Sequence, residues 1–167
     1  MMNASTTRSP GRARDLLGLV AFIALCLGVS AVGGLATAKS VATWYQALDK
    51  PAFNPPDWLF APVWTVLYLM IAVAGWRVWR LRGLAGARFE MTVYALQLVL
   101  NLAWSFMFFG ARLIGVAFGE IVVLLAAIIV NALVFWRVDR IAGWLLAPYA
   151  AWVTFALALN LALWRLN

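Results

Sequence analysis

The sequence predicts an all-α membrane protein, a five-transmembrane-helix bundle with a structured first loop. Three observations predict it. Of the 167 residues, 66% are hydrophobic and only 11% are charged, whereas a soluble domain is roughly half apolar and a quarter charged. Five apolar runs of 19 to 24 residues stand along the chain, and a helix needs about 20 residues to cross a hydrocarbon core. None of these runs alternates apolar with polar residues as a transmembrane strand does.

The elements follow in order. Residues 1–15 read as a basic tail with Arg8, Arg12 and Arg14, and residues 16–167 as the five-helix domain. The first run, Leu16–Ala38, ends in Ala36-Thr37-Ala38, which has the small-residue form of a signal-peptidase site. Its 23 residues exceed the roughly 7–15 of a signal core, so it reads as a retained helix. The remaining runs are Leu59–Val78, Met91–Phe109, Leu113–Trp136 and Ile141–Trp164. Trp79–Glu90, Gly110–Arg112 and Arg137–Arg140 are short connections, which make successive helices antiparallel neighbours.

Lys39–Trp58 is the one substantial loop, and Pro51, Pro55 and Pro56 stiffen it, which suits a lid. Asp57 is placed to cap the second helix, and Pro62 falls in its first turns, where a missing N–H costs little. Pro148 frees the Trp144 carbonyl inside the fifth run, so a kink is expected there.

Charge sets orientation. Arg8, Arg12, Arg14, Arg77, Arg80, Arg82, Arg88, Arg137 and Arg140 fall on one side; Lys39, Lys50, Arg112 and Arg165 fall on the other. The asymmetry predicts a cytoplasmic N-terminus, with the long loop and the C-terminus outside. It accounts for the net charge of +7 without nucleic acid, because the cations are scattered between apolar blocks rather than gathered in one stripe. Helical spans point to a bacterial inner membrane, since outer-membrane spans are usually barrels. The chain has no histidine and a single cysteine, Cys26. That removes the usual general base, the usual metal ligands and any intramolecular disulfide, and no resident cofactor is implied.

Polar residues inside lipid normally face the bundle. On the third helix, Gln97, Asn101, Trp104, Ser105 and Phe108 share one face. Tyr149, Trp152, Ala156 and Asn160 do so on the fifth, Glu120 and Asn131 on the fourth, and Trp64 and Tyr68 stack at i, i+4 on the second. Any one amide is explained by helix–helix adhesion; four helices turning polar and aromatic faces inward describe a lined pocket. Trp64, Trp104 and Trp152 lie within spans, where an indole suits a flat apolar ligand. Trp44, Trp58, Trp76, Trp79, Trp136, Trp144 and Trp164 fall near interfaces, where an aromatic belt is the default. Gly115-Val-Ala-Phe-Gly119 has the G-x-x-x-G form that seats a partner helix.

The chain resembles the tryptophan-rich sensory protein (TspO) and translocator protein family, the peripheral-type benzodiazepine receptors. Trp44-Tyr45, Lys50-Pro51, Asn54-Pro55-Pro56-Asp57-Trp58 and Pro62-Val63-Trp64-Thr65-Val66-Leu67-Tyr68 carry the resemblance in its first half. Asn101, Trp104, Phe108-Phe109-Gly110, Pro148-Tyr149-Ala150-Ala151-Trp152, Ala156, Leu159-Asn160 and Trp164-Arg165 carry it in the second. The resemblance implies a five-helix bundle, commonly a homodimer, that binds porphyrins, haem-type tetrapyrroles, sterols and synthetic isoquinoline carboxamides or benzodiazepines. By motif it places Tyr45, Trp64, Asn101, Trp104, Trp152 and Ala156 in the pocket. The animal members' cholesterol pattern has a tyrosine directly after Leu-Asn; here that position is Leu161, so the motif is broken.

These readings combine into a membrane receptor or translocator for tetrapyrroles, bathed in lipid and with a sensory role. Its ligand residues are Tyr45, Trp64, Tyr68, Gln97, Asn101, Trp104, Phe108, Trp152 and Ala156. Two alternatives stand beside it. One is light- and oxygen-dependent porphyrin degradation, with Trp64 and Trp152 as the participating indoles. The other is a proton-coupled carrier using Glu120.

Overall fold

The computed structural model describes residues 10–167; the part of the basic tail before Pro10, including Arg8, lies outside the described residues. In a hydrocarbon core every backbone N–H and C=O must be satisfied within the segment, so apolar runs of this length fold as helices. Five of them cross: Gly11–Val41, Asp57–Gly86, Arg88–Gly110, Ile114–Val138 and Arg140–Leu166. The elements are α1 (Pro10–Val41), a short 3₁₀ turn (Trp44–Ala47), α2 (Asp57–Gly86), α3 (Arg88–Ser105), a π turn (Phe106–Gly110), α4 (Ile114–Val138), α5 (Arg140–Leu145) and α6 (Ala147–Leu166).

The helices run beyond the apolar runs because polar ends also propagate. α1 already begins at Pro10, and α2 continues through much of the Trp79–Glu90 stretch that reads as a connection. α2 is interrupted there at Gly83, with φ 67° and ψ 175°, a conformation open to glycine and strained for side-chain-bearing residues. The fifth crossing breaks at Leu146, with Pro148 in the first turn of α6. There the Leu146 N–H donates to the Gly143 carbonyl at 3.1 Å, a tightened turn of the kind a proline enforces.

Two expectations are corrected. Asp57 is not the cap of α2: Pro56 holds that position, and the Asp57 carboxylate instead accepts a hydrogen bond from the Gln46 amide. At Gly115, though not at Gly119, the notch is taken by a helix of the same chain. A Cβ there would lie 2.8 Å from the Trp164 Nε1, so the α6 indole fills the notch.

Chain reversal puts the 42–56 connection, the π turn and Asn167 at one end of the bundle, called here the loop end. The larger core runs through the middle, with Ile71, Ala74, Tyr94, Ile128, Phe135 and Tyr149 fully or almost fully buried. A smaller core of Tyr45, Phe108, Phe109, Ala117, Leu159 and Leu163 lies at the loop end, and Trp104 packs against both. At the opposite end Arg77 Nε donates to Asp139 Oδ2 at 2.6 Å, while Asp139 Oδ1 accepts from the Ile141 N–H at 2.9 Å. One carboxylate thus ties α2 to the α4–α5 corner and caps α5. Burial alone would raise the Asp139 pKa, but the hydrogen bonds from Arg77 and Ile141 outweigh it and hold the group below its ordinary value.

Candidate functional site

The site is built from the loop downward. Prolines 51, 55 and 56 restrict the backbone, and side chains close the remaining freedom. Tyr45 donates its hydroxyl to Asn54 Oδ1 at 2.6 Å, and Lys50 Nζ reaches the Gln46 and Leu48 carbonyls at 3.0 and 3.3 Å. The Asn167 side chain grips the Asp49 backbone from both sides, accepting its N–H at 3.0 Å and donating to its carbonyl at 3.1 Å. Burial, and then the Asp57 carboxylate, push Tyr45 up to about 12 against the opposing Asn54 bond. Tyr45 is therefore a protonated donor throughout the neutral range.

Beneath the loop, α3 ends in a π turn, the form in which helices often mark functional sites. The Ala111 N–H donates to the Phe106 carbonyl at 2.7 Å. Ser40 of α1 donates its hydroxyl to the Phe109 carbonyl at 2.6 Å, and Arg112 turns out of the helix at φ 60°. The extra residue in this turn brings both Phe108 and Phe109 inward, where both are buried. Phe108 stacks on Trp104 with centroids 5.2 Å apart and planes at 22°. It meets Trp44 edge-on at 5.7 Å and Phe109 at 4.8 Å.

Around this stack lies a cavity of about 30 Å³, walled by Tyr45, Phe60, Trp104, Phe108, Phe109, Ala156 and Asn160, with two neighbouring leucines. Trp104 Nε1 donates to Asn160 Oδ1 at 3.2 Å, and Asn160 Nδ2 donates to the Ile114 carbonyl at 3.0 Å. One layer deeper, Tyr68 donates to Asn101 Oδ1 at 2.6 Å and Asn101 Nδ2 donates to the Tyr149 hydroxyl at 2.9 Å. Trp64 covers this triad, 5.7 Å from Tyr68 and 6.2 Å from Tyr149. Trp152 stands beside it against Phe60, at 6.0 Å.

The structure thus brings Tyr45, Trp104, Phe108 and Ala156 to the cavity wall. Tyr68, Asn101, Trp64 and Trp152 form or flank the layer beneath. Gln97 stands apart: it is fully buried two turns further from the loop than Trp104 and is absent from the wall. Glu120 is likewise absent from the wall. The sequence reading left Phe60 out of the site, put Asn160 on the inward face without naming it a ligand residue, and assigned Trp44 to the interfacial belt. Asn160 was recoverable, since it shares a helical face with Trp152 and Ala156; Phe60 carried no polar signal. Two cations stand over the aromatic rings of the loop, Lys50 5.2 Å above Tyr45 and Arg112 5.9 Å above Trp44. The arrangement suits a flat aromatic body with an anionic edge. Among the described residues no group of three His, Cys, Asp or Glu side chains could hold a metal ion.

The TspO/MBR family model matches residues 22–165. The chain belongs to the TspO/MBR family. Its relatives extend across bacteria and animals. It is 40% identical over 158 residues to the tryptophan-rich protein TspO of Chlorobaculum tepidum, covering 92% of this chain and 98% of that one. It is 35% identical to the tryptophan-rich sensory protein of Cereibacter sphaeroides, covering 87% and 89%. The translocator protein of Sus scrofa is 37% identical over 147 residues, covering 83% and 86%. Family membership and the five apolar crossings together make this an integral, multi-pass membrane protein.

Proposed function

We propose that this chain is a receptor and translocator for porphyrins and related tetrapyrroles, bound beneath the loop and read out as a sensory signal. The observation that carries the reading is the stack of Phe108 on Trp104 inside an aromatic cage with Lys50 and Arg112 at its rim. A tetrapyrrole offers a large π face for Trp104 and carboxylates for the two cations. The names of the relatives, sensory and translocator, agree with it.

The cavity of about 30 Å³ is far below the roughly 300–1,000 Å³ of ligand pockets, so this is a closed state. In our reading the ligand enters as the loop lifts, and it takes the place of the Phe108 ring over Trp104. The protein works as a homodimer in a bacterial inner membrane, with the loop end outside and the Arg77–Asp139 end in the cytoplasm, as the arginine asymmetry favours.

The test is titration of detergent-purified protein with protoporphyrin in the dark, read by tryptophan fluorescence. Saturable quenching weakened at least tenfold in Trp104→Leu is the expected result. Quenching that never saturates, or that Trp104→Leu leaves unchanged, removes the reading.

A further inference from the structure

Among the described residues, six buried side-chain polar atoms have no hydrogen-bond partner, and three residues own all of them: Gln97, Glu120 and Asn131. Other buried polar side chains in the spans, such as Asn101 and Asn160, are bonded. Gln97 and Asn131 are both 0% exposed. An amide left unpaired in such a place carries a large desolvation cost, and two of them contribute four unmet groups.

Their positions show why they belong together. Tyr94 of α3 stacks on Phe135 of α4, centroids 5.8 Å apart and planes at 16°, which fixes the level at which the two antiparallel helices meet. Gln97 is one turn from Tyr94 toward the loop end, and Asn131 is one turn from Phe135 in the same direction. The two amides therefore occupy one layer.

Helical spacing also turns both toward the α3–α4 interface. Gln97 shares a flank of α3 with Trp104, seven residues on, and Trp104 reaches over to Asn160 beside the start of α4. The other flank of α3 meets α1, where Gly33 lies against Leu102 and Ser105. On α4 the flank with Gly115, Phe118 and Trp136 packs on α5 and α6. Asn131, Ala127 and Glu120 line the flank turned to α3. By helical spacing all three unpartnered residues thus fall along the seam between α3 and α4.

We infer that this seam binds water within the membrane, with at least one ordered water molecule bridging the Gln97 and Asn131 side chains. A buried water typically makes about three hydrogen bonds, and the two amides supply two carbonyl oxygens and two NH2 groups. Glu120, three turns from Asn131 on the same flank, is the seam's second hydration point toward the loop end. The site is separate from the aromatic cage, and its ligand is water rather than a tetrapyrrole.

The test is a crystal structure of the wild-type protein at a resolution that shows ordered water, joined to a double-mutant cycle in thermal unfolding with Gln97→Leu and Asn131→Leu. The expected result is solvent density within hydrogen-bond distance of both side chains. Each single variant lowers the unfolding midpoint, and the double variant recovers at least half of the summed loss, because no amide is then left orphaned. Amides bonded directly to one another with no density between them, or single effects that simply add, overturn the inference. Should a single variant fail to fold, the wild-type density decides alone.

Discussion

Asn101 is the residue on which the interior of the bundle turns. Its amide accepts from Tyr68 and donates to Tyr149, tying α2, α3 and α6 together beneath the cavity. Asn101→Leu leaves both hydroxyls buried and short of a partner, so it is expected to lower unfolding stability by about 1–3 kcal/mol. Tyr68→Phe and Tyr149→Phe added to that variant are expected to restore most of the loss, as measured by thermal unfolding in one detergent. Asp139 acts at the other end of the molecule. Its pKa is held below the ordinary carboxylate value by Arg77 and Ile141 against the effect of burial, so its stabilisation is fully present above about pH 3.9. It is lost as pH falls from there through the lower folded value. Asp139→Asn is therefore expected to cost about 2 kcal/mol at neutral pH and to flatten the acid limb of the stability profile. An unchanged acid limb contradicts that role.

At the scale of elements, the π turn Phe106–Gly110 and the α5–α6 break do most to shape the site. The first drives Phe108 into the cage. Phe108→Ala is expected to enlarge the cavity and to raise the association rate of protoporphyrin at least several-fold, measured by stopped-flow quenching. A slower rate shows Phe108 to be part of the binding wall rather than its resident occupant. The second element depends on Gly143, where a Cβ would sit 2.9 Å from the Trp136 Cα and 3.0 Å from the Ala132 carbonyl oxygen. These are backbone atoms that cannot swing aside, so Gly143→Ala is expected to push α5 off α4 and lower the unfolding midpoint by several degrees.

The apolar runs and Pro148 made the five crossings and the break legible in the sequence, because length and a missing N–H are local properties. The π turn was not legible: its register depends on Ser40 of α1 taking the Phe109 carbonyl, a contact 69 positions away in sequence. The helical continuation through Trp79–Glu90 was missed for the opposite reason. Its arginines read as a connection, while the backbone leaves the helix only at Gly83 and Ala87.

Across the whole molecule, helical spacing found the interior faces of α2, α3 and α6, and with them most of the aromatic cage. It misplaced depth and neighbour. Gln97 shares a face with Asn101 and Trp104 but lies too far from the loop to reach the cavity. Trp44 looked interfacial because the sequence does not show that the loop folds back over Phe108. Orientation is open to measurement at this scale too. With Cys26 buried, single cysteines placed at Ala52 in the loop and at Ala85 near the opposite end are expected to react differently with an impermeant maleimide added to intact cells. Ala52→Cys should label and Ala85→Cys should not; the reverse pattern inverts the proposed topology.

The central claim is that a flat aromatic anion binds against Trp104 under the loop, and equilibrium titration with protoporphyrin in the dark tests it most directly. The account predicts saturable quenching of the wild type, at least tenfold weaker binding in Trp104→Leu, and a smaller loss when Lys50 and Arg112 are both changed to glutamine. Saturable binding that none of these substitutions alters would place the ligand elsewhere, and an absence of saturable binding would contradict the claim outright.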